Sequence, residues 1–150
     1  MTQTDSGPAG TAKARGGRRR ARELALQGLY QWLVGGQDAT AILAQLEEDD
    51  DFAAAEEGYV EELLRGAIDH ATELGAVLDP LLDRAAKSLS PVEHAILLIG
   101  AYELLHRPEI PRRVVINEAV EIAKSYGGTD GFKYVNGVLD RLAATARPRG

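Results

Sequence analysis

Apolar residues recur along this chain at steps of three and four rather than two, which predicts helices throughout. From about Arg18 to Val34 the buried set is Ala21, Leu24, Ala25, Gly28, Leu29 and Trp32, and Gly35-Gly36 ends the run. A shorter helix follows over about Ala39–Leu46, and the acidic run Glu47–Asp51 reads as a solvated loop. The clearest stripe, Val60, Leu63, Leu64, Ala67, Ile68, Ala71, Leu74 and Leu78, predicts one long helix over about Ala54–Leu78. Asp79-Pro80 supplies a cap and a proline for a short helix to about Lys87.

Ser90-Pro91-Val92-Glu93 is a stronger start signal, a capping box with proline at the first helical position. The helix it opens, to about His106, is apolar on most sides through Ala95–Tyr102 and is expected at the centre of the molecule. Pro108 and Pro111 bracket the connection to a helix over about Arg112–Tyr126, with Val115, Ala119, Ile122 and Tyr126 on one face. The last helix, from about Gly131, is expected to bury Phe132, Val135, Leu139, Leu142 and Ala146 at helical spacing. No segment alternates as a strand would. The fold class is therefore all-α, with about seven helices in two packed helical sub-bundles that divide near Asp79-Pro80 and share one core. Residues 1–17, rich in Gly, Thr, Ser and Ala and without an apolar period, are expected to form a disordered N-terminal extension ahead of a domain over 18–150.

Charge changes this picture more than bulk composition does. The net charge of −6 argues against a general affinity for polyanions. Its distribution argues otherwise: residues 1–22 hold six basic residues against Asp5 alone, whereas the rest holds eleven against twenty-two. A basic arm on an acidic body suggests a local anion site. The chain has no cysteine, which removes disulfides, zinc–cysteine sites and thiol nucleophiles. Its longest strongly apolar run, Ala95–Tyr102, is far short of the roughly 20 residues that span a bilayer, and no secretory signal is visible. A cytoplasmic protein with no membrane partner is expected.

Enzymatic chemistry finds no support. His70, His94 and His106 lie on different predicted helices without a second ligand at metal spacing, and they read as surface or helix-end residues, with no metal expected. Ser90 is occupied as a cap, and Gly127–Gly131 lacks the Lys-Ser/Thr ending of a phosphate loop. No catalytic residue and no cofactor are assigned.

Three features point to binding. Arg18, Arg19, Arg20 and Arg22 stand where the extension becomes a helix, a position suited to gripping phosphates, although such runs also serve solubility alone. Lys133 and Tyr134 lie off the Phe132/Val135/Leu139 stripe, so the ring can stack a base beside a cation or else close the rim of the core. Asp130 reads as the N-cap of the same helix. Tyr30 shares a face with Arg19 and Glu23, a composition that fits a protein interface or a shield at the core edge.

Taken in order, these segments resemble the NusB family of transcription antitermination factors from about Arg18 to Arg147. The resemblance is carried by Arg18-Arg19-Arg20-Ala21-Arg22-Glu23 with Ala25, Leu29-Tyr30 and Trp32, by Val92-Glu93 with Ala95, and by Ala101-Tyr102-Glu103-Leu104. Its strongest parts are Ile116–Gly127 (INEAVEIAKSYG) and Phe132–Asp140 (FKYVNGVLD). It implies binding of boxA single-stranded RNA with a small-subunit ribosomal protein acting as NusE, within an antitermination complex on RNA polymerase, in support of rRNA transcription and maturation. Carried over residue by residue, RNA contacts fall on Arg18, Arg19, Arg20, Arg22, Asp130, Lys133 and Tyr134, and partner contacts on Tyr30 and Glu93, the last in competition with its capping role. A similar domain precedes some rRNA cytosine methyltransferases, but these 150 residues leave no room for a nucleotide-binding catalytic domain. The alternative is a helical protein-interaction module without direct RNA binding. Monomer and homodimer are both left open.

Overall fold

The computed structural model describes residues 7–83, 89–126, 128 and 130–147, with side chains from Gly16 onward. Seven α-helices lie among the described residues: α1 (Gly7–Gly35), α2 (Ala39–Leu46), α3 (Tyr59–Asp69), α4 (Ala71–Leu78), α5 (Pro91–His106), α6 (Arg112–Tyr126) and α7 (Gly131–Ala146). Two 3-10 turns, Asp50–Ala54 and Asp79–Leu81, punctuate them.

Local signals set several boundaries. Asp38 caps α2 by accepting from the Ala41 N–H at 2.8 Å, and Ser90 Oγ accepts from the Glu93 N–H at 3.1 Å ahead of Pro91 in α5. Gly36, at φ +74°, takes the left-handed backbone that stops α1.

The helix α5 is the shared element. Every residue from Ala95 to Leu104 is buried, and α5 packs against α1, α3, α4, α6 and α7. On one side α1, α2 and α3 form a sub-bundle; on the other, α6 and α7 pack on each other and on α5. One continuous apolar core joins the two, including Leu24, Leu29, Leu63, Leu64, Leu97 and Leu139. Each such fully buried side chain contributes roughly 1.5–3 kcal/mol of transfer free energy. At the far end of α7, Arg147 closes the exit of α5: its guanidinium donates to the carbonyls of Leu104 (3.0 Å), Glu103 (3.1 Å) and Arg107 (2.8 Å), and also to Ile110. The last carbonyls of a helix have no partner within it, and here the Leu104 carbonyl is served by this cation, which also ties down the carbonyls of the turn that follows.

Four details differ from the sequence expectation. The long helix predicted over Ala54–Leu78 is two helices, broken at His70 (φ −104°, ψ 17°); Ala54 ends a 3-10 turn, and residues 55–58 before α3 are not helical. The helix expected from Asp79-Pro80 is a single 3-10 turn, after which Leu82 is extended; its remainder to Lys87 falls mainly on residues 84–88, outside those described. Tyr126 is not on the core face of α6 but 47% exposed at its end. The helix α1 begins at Gly7 rather than near Arg18. Residues 7–17 include four glycines, which are poor helix formers, so intrinsic propensity does not account for this part of α1. Gly17 already packs on the body, its carbonyl accepting from the Glu56 N–H at 2.9 Å; residues 1–6 of the expected extension lie outside the described residues.

Candidate nucleic-acid interface

At about 100° per residue, Arg18, Arg19, Arg20 and Arg22 cannot share one face of α1. Arg18 and Arg22, one turn apart, face Tyr59 at the start of α3. The Arg18 guanidinium lies 4.7 Å from the centre of that ring and pairs with Glu56 at 3.1 Å. Arg22 continues inward to bond both oxygens of Glu103 on α5, at 3.1 and 3.0 Å. The Tyr59 hydroxyl donates to the same carboxylate. Burial first, and then the Glu103 charge, push the Tyr59 phenol well above its ordinary range, so it stays a donor. Arg22 is 3% exposed. Its guanidinium is therefore a structural cation, not a phosphate contact of the kind the arginine run suggested.

Arg19 points to α6 instead. Its Nε and second amino group donate to the two oxygens of Glu118 at 2.8 and 2.7 Å, a bidentate fork. This fork holds the Glu118 carboxyl below the usual carboxylate range, against the burial that raises it. Arg20 reaches Glu23 at 2.6 Å and Asp51 at 3.6 Å. Each of the four arginines thus faces a carboxylate of the same chain. Arg18, Arg19 and Arg20 keep 30%, 48% and 37% of their side-chain surface in solvent. Between Arg18 and Glu118 a groove of about 430 Å³ opens over Ile110, Pro111 and Val114.

The exposed face of α6 continues the charged surface. Glu118, Glu121 and Lys124 follow at three-residue steps, and Lys124 Nζ lies 3.4 Å from Glu121. Lys124 then sits 5.4 Å from the ring centre of Phe132 on α7, and Lys133 lies 6.0 Å from the same ring. Phe132, expected in the core stripe, is thus a half-buried ring between two lysines, and Ala146, expected in the same stripe, is exposed at the end of α7. Lys133 pairs with Asp130 at 3.6 Å, both largely in solvent. Asp130 stands at the N-cap position but makes no capping bond with its side chain; its backbone, at φ −116° and ψ 9°, is not the extended cap geometry. Tyr134 is half-buried against the core with its hydroxyl withdrawn from solvent. It is a rim tyrosine first, and any stacking surface it offers is partial.

The two residues assigned to a protein partner separate in the structure. Tyr30 is 43% exposed and, with Leu26, Val92 and Tyr126, borders a surface pocket of about 330 Å³. Glu93 is 8% exposed, and its Oε2 would lie only 3.1 Å from a Cβ on Gly131. Its carboxylate is turned inward to the first residue of α7, where a helix N-terminus favours negative charge, rather than outward to a partner. Glu118, Lys124 and Tyr126 were not assigned a site role from the sequence, Tyr126 having been read as a core residue. Only Tyr126, an aromatic in the last helical position before two glycines, carried a signal that could have found it.

Among the described residues, no helix is long and apolar enough to cross a membrane. Comparison with known proteins adds identity to this geometry. The NusB family model matches residues 19–144. The transcription antitermination protein NusB of Thiobacillus denitrificans is 56% identical over 132 residues, covering 88% of this chain and 91% of that protein. The protein of the same name from Ralstonia pickettii is 52% identical over 147 residues, 98% of this chain and 95% of that one. Among solved structures, T. maritima NusB superposes with a TM-score of 0.74 at 31% identity, over 84% of this chain and 89% of that chain. A chain from the complex of antitermination factors NusB and NusE with dsRNA shares the fold at 24% identity, with a TM-score of 0.74 over 85% and 96% of the two chains. From the family match and the extent of these identities, the chain belongs to the NusB family.

Proposed function

We propose that this chain is a transcription antitermination factor that binds boxA single-stranded RNA together with a small-subunit ribosomal protein acting as NusE, supporting rRNA transcription and maturation in the cytoplasm. Its work is binding rather than catalysis. The observation that carries the RNA reading is one connected surface: Arg19 on α1 holds Glu118 on α6, and that face of α6 leads through Lys124 and Phe132 to Lys133 on α7. Cations at both ends of a path with a ring between them suit a short single strand, whose phosphates take the charges and whose bases take the ring. Beside it, the groove over Ile110, Pro111 and Val114 has an apolar floor, rimmed by Arg18 and by Glu56, Glu109 and Glu118.

On this reading the RNA contacts are Arg18, Arg19, Arg20, Lys133 and the exposed edge of Tyr134, with Asp130 positioning Lys133. The ribosomal-protein partner takes the Tyr30 pocket, and the pair joins an antitermination complex on RNA polymerase. Residues 18–150 form the RNA-binding domain, with 1–17 an extension ahead of it. The test is affinity for boxA RNA against a scrambled strand, with and without the partner. Weak binding alone and selective, tighter binding in the ternary mixture are expected, and equal affinity for both strands there would refute the proposal.

The second reading, a protein-interaction module that does not touch RNA, draws on the carboxylate facing each of Arg18, Arg19, Arg20 and Arg22. Deleting residues 1–22 cannot separate the two, because Arg22 belongs to the core. The double variant Arg19→Ala/Arg20→Ala can: RNA affinity falls on the first reading and is unchanged on the second. A homodimer sealed through the same face would exclude RNA, and sedimentation with and without RNA distinguishes that form.

A further inference from the structure

We propose that His70, Glu73 and His106 form a binding site for a borderline divalent metal ion of the zinc class, at the point where the α3–α4 break meets the end of α5. Among the described residues this is a group of three metal-competent side chains whose ligand atoms all lie within 4.8 Å of one another. His106 Nε2 is 2.9 Å from Glu73 Oε1, and the two imidazole rings are 4.3 Å apart between centres.

The tautomer of His70 is set for ligation. Its Nδ1 lies 2.9 Å from the Gly66 carbonyl oxygen, which can only accept, so the ring proton sits on Nδ1 and the lone pair on Nε2. Metal-binding histidines are commonly oriented by such a bond from the second ring nitrogen. His106 is backed by Tyr102, whose ring stacks on it at 5.1 Å between centres. Tyr102 can stand there only because residue 66 is glycine: a Cβ would come within 2.4 Å of its ring. The Tyr102 hydroxyl donates to Glu62 at 3.1 Å, which also receives Arg107 at 2.8 Å, so the backing ring is itself held.

His106 is the last residue of α5, whereas His70 is at once the C-cap of α3 and the N-cap of α4, so only the α5 end lends an uncompensated helix terminus. The carbonyl ends of helices favour a cation. Bonds of about 2.0–2.2 Å in a tetrahedral site put ligand atoms about 3.4 Å apart, a closure within reach of side-chain rotation at half-exposed positions. On loading, the Nε2 proton that His106 shares with Glu73 moves to its own Nδ1 through solvent, and the lone pair so freed takes the metal. Three protein ligands leave a fourth position for water. No cysteine competes for the ion.

The site would clip the α3–α4 break to the end of α5, so its readout is stability. Titrating Zn²⁺ into the tag-free full chain is expected to raise the melting temperature saturably at one ion per chain, with EDTA reversing the shift. Co²⁺ in its place is expected to give the visible absorption of a tetrahedral site. His106→Gln should weaken Zn²⁺ affinity at least tenfold, and the exposed Glu73→Gln, which leaves packing untouched, should also weaken it. His94→Gln should bind as the parent does. An absent stoichiometric shift, or one that survives both His106→Gln and Glu73→Gln, overturns the assignment.

Discussion

Arg22 and Glu103 meet inside the molecule, 81 residues apart in sequence, with Nε 3.1 and 3.0 Å from the two carboxylate oxygens and the side chains 4% and 1% exposed. A pair so enclosed is costly to split, because the survivor is left as an unpaired buried charge. Glu103→Ala or Arg22→Ala is therefore expected to lower the free energy of unfolding by about 3–5 kcal/mol. In a urea denaturation series, the double variant should lose less than the sum of the two. Full additivity would mean that the two side chains do not act as a pair.

The fork between Arg19 and Glu118 makes a carboxylate the resident competitor of a phosphate. Arg19→Ala should weaken RNA binding across sequences and reduce the salt slope by about one. Glu118→Gln should do the reverse. Releasing an exposed ion pair of up to ~1 kcal/mol allows a gain of up to about fivefold in affinity. Filter binding at two salt concentrations checks both, and an affinity for Glu118→Gln below that of the parent would contradict the competition.

At the other end of the surface, Lys133 and Tyr134 should behave differently. Lys133 is 70% exposed, so Lys133→Ala should lower affinity and salt slope with no change in melting temperature. Tyr134 packs on the core, so Tyr134→Ala should reduce both stability and affinity, the latter by roughly 1–3 kcal/mol if a base rests on the ring. Tyr134→Phe, which keeps the ring, should retain RNA affinity. Its loss would assign the contact to the hydroxyl.

Acid should act at two places. Burial lowers the pKa of His94 from its ordinary 6.5, with the Asp79 charge pulling weakly the other way. Below that value the unfolded chain binds the proton first, so this contribution to stability is present above pH 6.5 and is lost as pH falls through the folded-state value. Glu118, also lowered, adds a second loss below its ordinary 4.5. His94→Gln should flatten the melting-temperature profile just below pH 6.5 and leave the more acidic fall in place, as thermal scans across pH would show.

The parts of the fold that were legible in the sequence are those whose causes are local. Ser90-Pro91 names the start of α5 because a cap acts within three residues. The break at His70 was hidden because the apolar stripe runs straight through it from Val60 to Leu78, and burial, not propensity, carries that stripe. The interface was half legible for a similar reason. Four arginines in five positions look alike in sequence, and only Tyr59 and Glu103, brought from other helices, make Arg22 structural while Arg18, Arg19 and Arg20 stay at the surface. Glu93 is a parallel case, its inward turn depending on Gly131 in α7.

Because α5 is walled by five other helices, neither half of the molecule owns a lining that it could keep without the other. Melting should accordingly be a single all-or-none event, with no stage at which the arginine end survives and the tyrosine end has dissolved. Inheritance is constrained in the same way: a volume change at Leu97 or Ile99 must be absorbed on both sides at once, so drift along this helix can proceed only by matched exchanges across the whole body.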